Sequence, residues 1–362
     1  MPSILSVSHI NLPHRVSQES AMDFAREMFG SSFKDIERLL RAFKNGQVDT
    51  RYFSNDIEWF KDEHSFEEKN DIYIEQATEY GCKAVSQCLD NRAFLKEKIE
   101  PGEIDAFFYI SSTGLATPTI DARIINMLSF NEHTKRIPIW GLGCAGGAAG
   151  ISRAYEYCRA FPKAKVLVLC VELCSLTFQK NDSSKSNLIG SSLFSDGISC
   201  ALVCGDEVDR KSLSKLSFVP NILATRSTLM PDSLEVMGWD VKNEGLYVVF
   251  SKDIPAIIKD WLKPNVEAFL AENQISLDSV KHFVAHPGGR KVIEAYEQAL
   301  GFSGEMTNTS LNVLKEYGNM SSATIFYVLE RFMLSHLDSN DVGLAAALGP
   351  GFSSELLLLR WE

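Results

Sequence analysis

Excess positive charge, a long apolar run, paired cysteines and low-complexity sequence are all missing from this chain of 362 residues. Lysine and arginine number 36 against 47 aspartates and glutamates, a net charge of −11. So acidic a chain lacks the cationic face on which general nucleic-acid binding depends. It has no run of about 18 or more uncharged apolar residues, so no membrane span is expected. Its first sixteen residues lack the basic start and apolar block of a signal peptide, and the expectation is a cytoplasmic enzyme. The eight cysteines contain no Cys-x-x-Cys pair, which argues against structural zinc, and they are too few for a disulfide framework. Cys170 and Cys174 sit in the apolar run 165–176. On a strand they would share a face about 13 Å apart, too far for a bridge or a shared ion. Cys200 and Cys204, in 198–204, read the same way, and all four are expected in the core.

Hydrophobic residues make up 45% of the chain, enough for a large core, and the length exceeds that of one ordinary domain. Two halves are expected, 1–210 and 211–362, with the seam within the charged stretch 205–217. The first hundred residues read mainly as helix. Phe33, Ile36, Leu39, Leu40 and Phe43 recur at helical spacing in 32–45, with Lys34, Arg38 and Arg41 on the other face, and 72–89 is a second helix. Apolar strands at 104–111, 136–140 and 165–172 then alternate with helices, the pattern of a buried and largely parallel sheet. The second half repeats it. Asp253 caps a helix with Pro255 in its first turn and an apolar stripe of Ile254, Ile257, Ile258, Trp261 and Leu262; Pro264 is expected to kink or end that helix. A strand at 282–286, a helix at 321–334, and strands at 343–348 and 355–361 joined through Gly349-Pro350-Gly351 complete the reading.

The segment from Gly141 to Gly150 follows a strand and opens a helix, and it supports two readings. Gly141, Gly143 and Gly146 satisfy the dinucleotide pattern G-x-G-x-x-G, and Glu172 stands at the end of the next strand as the acid that would hold a ribose, which points to a nicotinamide-dependent oxidoreductase. Alternatively Cys144 is a nucleophile in the first helical turn, where free N–H groups and the helix dipole favour thiolate, and Gly146, Gly147 and Gly150 let the helix pack closely inside the protein. Two other segments bear on the choice. His286 precedes Pro287, which holds it extended at a strand's carboxyl end, where such sheets bind ligands. Asn319 lies between Gly318 and a helix start. Cys144, His286 and Asn319 suit acyl transfer: the thiolate attacks a thioester, His286 pairs with the thiolate, and His286 and Asn319 donate to the carbonyl oxygen. No metal or proton-relay acid is needed. A papain-type hydrolase uses the same residue types, but its cysteine context is missing.

Gly143-Cys144-Ala145-Gly146-Gly147, His286-Pro287-Gly288-Gly289 and Gly318-Asn319-Met320-Ser321 resemble the catalytic signatures of type III polyketide synthases, the chalcone synthase superfamily. The gaps of 142 and 33 residues between Cys144, His286 and Asn319 fit that family's order; 193–197 is similar to its L-F-G-D-G segment and Gly349-Pro350-Gly351 to its C-terminal loop. The likeness covers essentially the whole chain and is greatest to bacterial, especially Gram-positive, members. It implies a thiolase fold, two similar α/β halves in a five-layer αβαβα sandwich, assembled as a homodimer. It implies an acyl-CoA starter loaded on Cys144, malonyl-CoA decarboxylated by His286 and Asn319, and attack of the acetyl-CoA enolate on the acyl chain. The CoA thioesters are substrates, and no cofactor is implied. Phe194 resembles the gatekeeper between CoA tunnel and cavity, and Ser112, Thr177 and Ser321 fall where cavity-lining residues would lie.

Two positions depart from the family pattern. Ser195 replaces a glycine, with little consequence expected. Val248 replaces a second gatekeeper phenylalanine, which opens a space that Leu115 and Leu246 are expected to line. Each buried methylene is worth about 0.8 kcal/mol, so such a space rewards medium- to long-chain fatty acyl starters and points to alkylpyrones or alkylresorcinols. The alternatives are a chalcone- or stilbene-type synthase with an aromatic starter, and an initiating ketoacyl-carrier-protein synthase, which usually has glutamine where Pro287 stands. Lys34, Arg38, Arg41, Lys44 and Arg51 are candidates for the CoA phosphates, Lys44 and Arg51 foremost; a merely solvated helix face explains them equally well.

Overall fold

Thirteen strands organise the molecule in a computed structural model that describes residues 1–335 and 337–362: β1 Ser3–Ile10, β2 His14–Ser17, β3 Thr50–Phe53, β4 Ala106–Ser111, β5 Lys135–Trp140, β6 Lys165–Leu173, β7 Asp196–Cys204, β8 Pro220–Leu229, β9 Met237–Lys242, β10 Gly245–Phe250, β11 Val280–Ala285, β12 Val342–Gly349 and β13 Ser353–Trp361. Nine of them form one sheet in the order β11-β12-β13-β8-β1-β7-β6-β4-β5. Its two parts repeat one pairing pattern. In the first, β4 and β6 are parallel, and β6, β7 and β1 follow antiparallel; in the second, β11 and β12 are parallel, and β12, β13 and β8 follow antiparallel. The parts meet at the Ser3–Asn221 pair of β1 and β8, where the Ser3 hydroxyl donates to Asn221 Oδ1 at 2.7 Å.

Alternating side chains divide the molecule into five layers. On β6, a Cβ added to Gly150 would meet Val168, and one added to Gly81 would meet Leu169. Val168 therefore faces the helix Gly146–Ala160 and Leu169 the helix Phe66–Leu89 on the opposite side. In the second part Phe283, Ala285, Leu344, Ala346, Leu356 and Leu358 join a core with the helices Lys263–Glu272 and Arg290–Leu300. Their neighbours Val284, Ala345, Leu357 and Leu359 join the larger core of the helices Gly146–Ala160 and Thr324–Leu334. These two helices form the central layer, between two sheet layers that outer helices cover. This is the expected αβαβα arrangement, and it puts the starts of both central helices at one place.

Several elements differ from the expectation. The N-terminal region carries β1, which the sequence reading missed because Ser3, Ser6 and Ser8 interrupt its apolar residues. All three serines are buried, and Ser6 and Ser8 donate to the Cys88 and Ala84 carbonyls of the helix Phe66–Leu89. Residues 32–45 contain two short helices, Ile36–Leu39 and Arg41–Gly46; Leu40 and Phe43 are buried against Ala21, Ala25 and Phe29, while Ile36 and Leu39 stay at the edge. Pro264 does not end its helix, which runs on to Glu272 by widening to π spacing over Ile258–Leu262 and so accommodates the proline ring. Cys174 lies beyond β6, in a 3₁₀ turn, and shares no strand face with Cys170. All eight cysteines are free and buried.

Candidate active site

Trp140 ends β5, and the chain turns through Gly141 (φ 91°) and Gly143 (φ 47°) into the 3₁₀ turn Gly143–Ala145 and the helix Gly146–Ala160. A Cβ at Gly143 would lie 2.7 Å from Pro350 Cδ, and one at Gly349 2.6 Å from Ala145 Cβ, so the Gly349-Pro350-Gly351 turn clamps the nucleophile turn. Gly146 is closed off by Ile110 and Ser322, Gly147 by the Ser322 carbonyl, and Gly150 by Val168 and Ile110. These glycines serve close packing of the buried helix, and a pyrophosphate has no approach to them. Glu172 is wholly buried and accepts hydrogen bonds from Ser112 N–H, the Thr113 hydroxyl and the Ser322 hydroxyl at 2.5–3.0 Å. It cannot reach a ribose, and the dinucleotide reading falls with it.

Asn319 and His286 converge on Cys144. Gly318 (φ 76°) delivers Asn319 beside Phe194: Asn319 N–H donates to Leu193 O, and Ser195 N–H donates to Asn319 O, both at 2.9 Å. The amide is held at both ends. Its Oδ1 accepts from Ser321 N–H, and its Nδ2 donates to Gly288 O, both at 2.8 Å. One Nδ2 hydrogen is left for a ligand. Cys144 Sγ lies 3.9 Å from Asn319 Oδ1. His286 is fixed by its N–H bond to Ala346 O at 2.8 Å, while neither ring nitrogen has a partner.

Burial governs the charges here. It pushes the Cys144 thiol up to about 12, against an opposing pull from hydrogen bonding to Ser321 and Asn319, and it pushes His286 down to about 3. Burial thus disfavours either charge standing alone. Proton transfer between the two leaves their net charge unchanged, so the thiolate forms at least cost together with imidazolium.

Cys144, His286 and Asn319 line a cavity of about 920 Å³. Its rim carries Arg38, Arg41, Lys185, Lys252 and Lys291, none in an ion pair among the described residues. Arg38 and Arg41 are among the sequence candidates; Lys185, Lys252 and Lys291, scattered over roughly a hundred residues, are not. Lys44 is exposed but lies outside this lining. Arg51 requires correction: it is wholly buried and donates to Ser191 O, Ser192 O and Gln18 Oε1, which leaves no solvent-facing edge for a CoA phosphate.

Thr177, Phe194 and Val248 meet in a second, apolar pocket of about 50 Å³ walled by Phe24, Phe53, Phe60 and Phe178. Phe194 also packs against Phe250, a wall of the larger cavity, at 5.6 Å between ring centres. Ser112 and Ser321 line neither space and instead support the site. The Ser112 hydroxyl accepts from Gly143 N–H at 2.9 Å, and Ser321, at φ 48°, orients Asn319. Leu115 is exposed and Leu246 buried, and neither lines the pocket. Ser195 is more than a neutral replacement: its hydroxyl accepts from Tyr52 N–H at 2.8 Å and donates to Tyr52 O at 3.1 Å, tying β3 to the Phe194 turn.

Family models described as chalcone and stilbene synthases match residues 7–207 (N-terminal domain) and 221–361 (C-terminal domain). A Bacillus subtilis (strain 168) protein, provisionally named a chalcone synthase, is 53% identical over 363 residues, covering 100% of this chain and 99% of that protein. A 1,3,6,8-tetrahydroxynaphthalene synthase of Streptomyces peucetius subsp. caesius is 32% identical, covering 99% and 93%. The solved structure of the Streptomyces coelicolor A3(2) enzyme of that name, a bacterial type III polyketide synthase, superposes with a TM-score of 0.91 at 28% identity over 99% of each chain.

Proposed function

The chain belongs to the chalcone and stilbene synthase family and is a type III polyketide synthase of thiolase fold, and from that premise we propose that it extends medium- to long-chain fatty acyl-CoA starters with malonyl-CoA to alkylpyrones or alkylresorcinols. The observation that carries the starter is the apolar pocket beyond Phe194, to which Val248 contributes where a phenylalanine would fill it.

Loading begins with proton transfer from Cys144 to His286. The thiolate attacks the starter's thioester carbon, the C–S bond to CoA breaks, and the proton leaves with CoA thiol. Malonyl-CoA then loses carbon dioxide, and the electron pair of the broken C–C bond becomes the enolate of acetyl-CoA, whose oxygen accepts hydrogen bonds from His286 and the free Nδ2–H of Asn319. The enolate carbon attacks the acyl carbon on Cys144, a C–C bond forms, and the C–S bond breaks to return the thiolate. These steps use the CoA thioesters as substrates and draw on no metal or other cofactor. Residues 1–210 supply the nucleophile and 211–362 the two donors. The CoA phosphates are held by the rim cations Arg38, Arg41, Lys185, Lys252 and Lys291.

A homodimer fits the edge strand β5, which pairs on one side only, and the exposed Trp140 and Leu115 beside it. No described helix is long and apolar enough to cross a membrane, and we place the enzyme in the cytoplasm. A second reading, an aromatic product built without an alkyl starter, is favoured by the 32% identity to tetrahydroxynaphthalene synthase. Competition between dodecanoyl-CoA and coumaroyl-CoA tests the proposal: preferred use of dodecanoyl-CoA, as kcat/KM, supports it. Equal or better use of coumaroyl-CoA, or turnover of malonyl-CoA alone to a naphthalene product, overturns it.

A further inference from the structure

The catalytic cavity holds one buried hydroxyl that neither the reaction above nor a partner in the fold uses. Among the described residues lining it, Cys144, His286, Asn319, Ser192 and Tyr296 are polar and less than a tenth exposed. Ser192 Oγ donates to Ile189 O at 2.7 Å, and the Asn319 amide is held by Gly288 and Ser321. The groups left without a protein partner are the two nitrogens of His286 and the hydroxyl of Tyr296. Tyr296 lies on the helix Arg290–Leu300, its ring fixed edge-on against Phe283 at 5.4 Å between ring centres. An unpaired buried hydroxyl carries a desolvation cost that a phenylalanine of the same shape would avoid. Burial raises the phenol well above its ordinary value, and charge on the Cys144 sulfur raises it further. The hydroxyl therefore stays protonated, a donor within electrostatic reach of the nucleophile.

We propose that the Tyr296 hydroxyl is the hydrogen-bond donor to the carbonyl oxygen of the acyl chain carried on Cys144. The assignment rests on the polyketide synthase reading. During condensation negative charge passes from one oxygen to another. The enolate oxygen, held by His286 and Asn319, loses charge as the C–C bond forms. The acyl carbonyl π electrons move onto the acyl oxygen, which becomes an oxyanion until the C–S bond breaks and the thiolate departs. Two donors on the first oxygen do nothing for the second. Tyr296 supplies that donor without giving up its proton, and it acts on the same oxygen when the starter is loaded.

Tyr296→Phe in the full chain separates the steps. Condensation in a single turnover from preloaded acyl-enzyme should slow about 10²-fold, the usual loss for one oxyanion donor, and acyl-Cys144 formation should slow with it. Malonyl-CoA decarboxylation should stay close to that of the unsubstituted enzyme, and the melting temperature should not fall, since the hydroxyl removed has no partner in the fold. Unchanged condensation would overturn the proposal, a parallel fall in decarboxylation would move the hydroxyl to the enolate oxygen, and a lowered melting temperature with loss of all activities would make it structural. Should Tyr296→Phe not fold, isotope-edited infrared spectra of the unsubstituted acyl-enzyme decide: a ¹³C-carbonyl stretch at a hydrogen-bonded frequency is expected, and that of a free thioester overturns the proposal. If the unsubstituted chain neither binds acyl groups on Cys144 nor decarboxylates malonyl-CoA, the polyketide synthase reading fails instead.

Discussion

Filling the pocket beyond Phe194 should convert a length-selective enzyme into a length-indifferent one. Val248 stands on β10 opposite Trp239, and its Cγ1 lies 3.4 Å from where a Cβ on Gly190 would be, with Phe194 as close on the same side. A phenylalanine ring at 248 has no slack towards Gly190 and must occupy the pocket, which holds only about 50 Å³. Each methylene buried there is worth about 0.8 kcal/mol, so the unsubstituted enzyme should gain roughly fourfold in kcat/KM per methylene as the chain enters the pocket. A pocket of that size takes about two methylenes, and excluding them costs about 1.6 kcal/mol, a factor of roughly 15. The assay is kcat/KM for saturated starters from butanoyl-CoA to hexadecanoyl-CoA, with both proteins. In Val248→Phe the slope against chain length should flatten while butanoyl-CoA is used about as well as before. Parallel slopes for the two proteins would refute the reasoning, because Val248 would then not border the space that receives the chain.

Three further outcomes follow from the site. Cys144→Ala should abolish condensation yet retain malonyl-CoA decarboxylation, since the enolate donors remain; loss of both, measured by carbon dioxide release, would make Cys144 structural. Gly147→Ala would drive a Cβ into the Ser322 carbonyl and should cost about 3 kcal/mol by urea denaturation, with an unchanged midpoint contradicting the packing. Burial pushes Glu172 from 4.5 up to about 7, so the folded chain keeps a proton that the unfolded chain has released, and stability should fall by about 3 kcal/mol as pH rises through that window. Glu172→Gln should remove this loss and be the more stable form at pH 8; an equal pH dependence of the two would show that Glu172 ionises freely.

Much of this was legible in the sequence where a residue type left few options. Glycine, proline and a reactive side chain coincide at Cys144, His286 and Asn319, so three segments far apart in the chain could be assigned to one chemistry; the alternation of strand and helix gave a buried sheet, but one expected to be largely parallel that pairs mostly antiparallel, and the five layers came from the family resemblance. The N-terminal strand was hidden because its buried serines are satisfied by carbonyls of a helix some eighty residues away. The helix beginning at Phe66 was signalled by Ser65 and Glu68, which form a capping box, but the apolar stripe drew its start to residue 72. Arg51 looked like a surface cation because nothing local shows that Ser191, Ser192 and Gln18 would enclose it. The role of Tyr296 depends on the absence of a partner, which only the folded chain reveals.

The account stands on an acyl chain carried by Cys144, and that is measured by intact-mass spectrometry and peptide mapping after incubation with dodecanoyl-CoA without malonyl-CoA. The expected result is one dodecanoyl group per chain, on the peptide containing Cys144, sensitive to hydroxylamine and absent from Cys144→Ala. An unmodified protein, or an adduct that persists in Cys144→Ala, would contradict it.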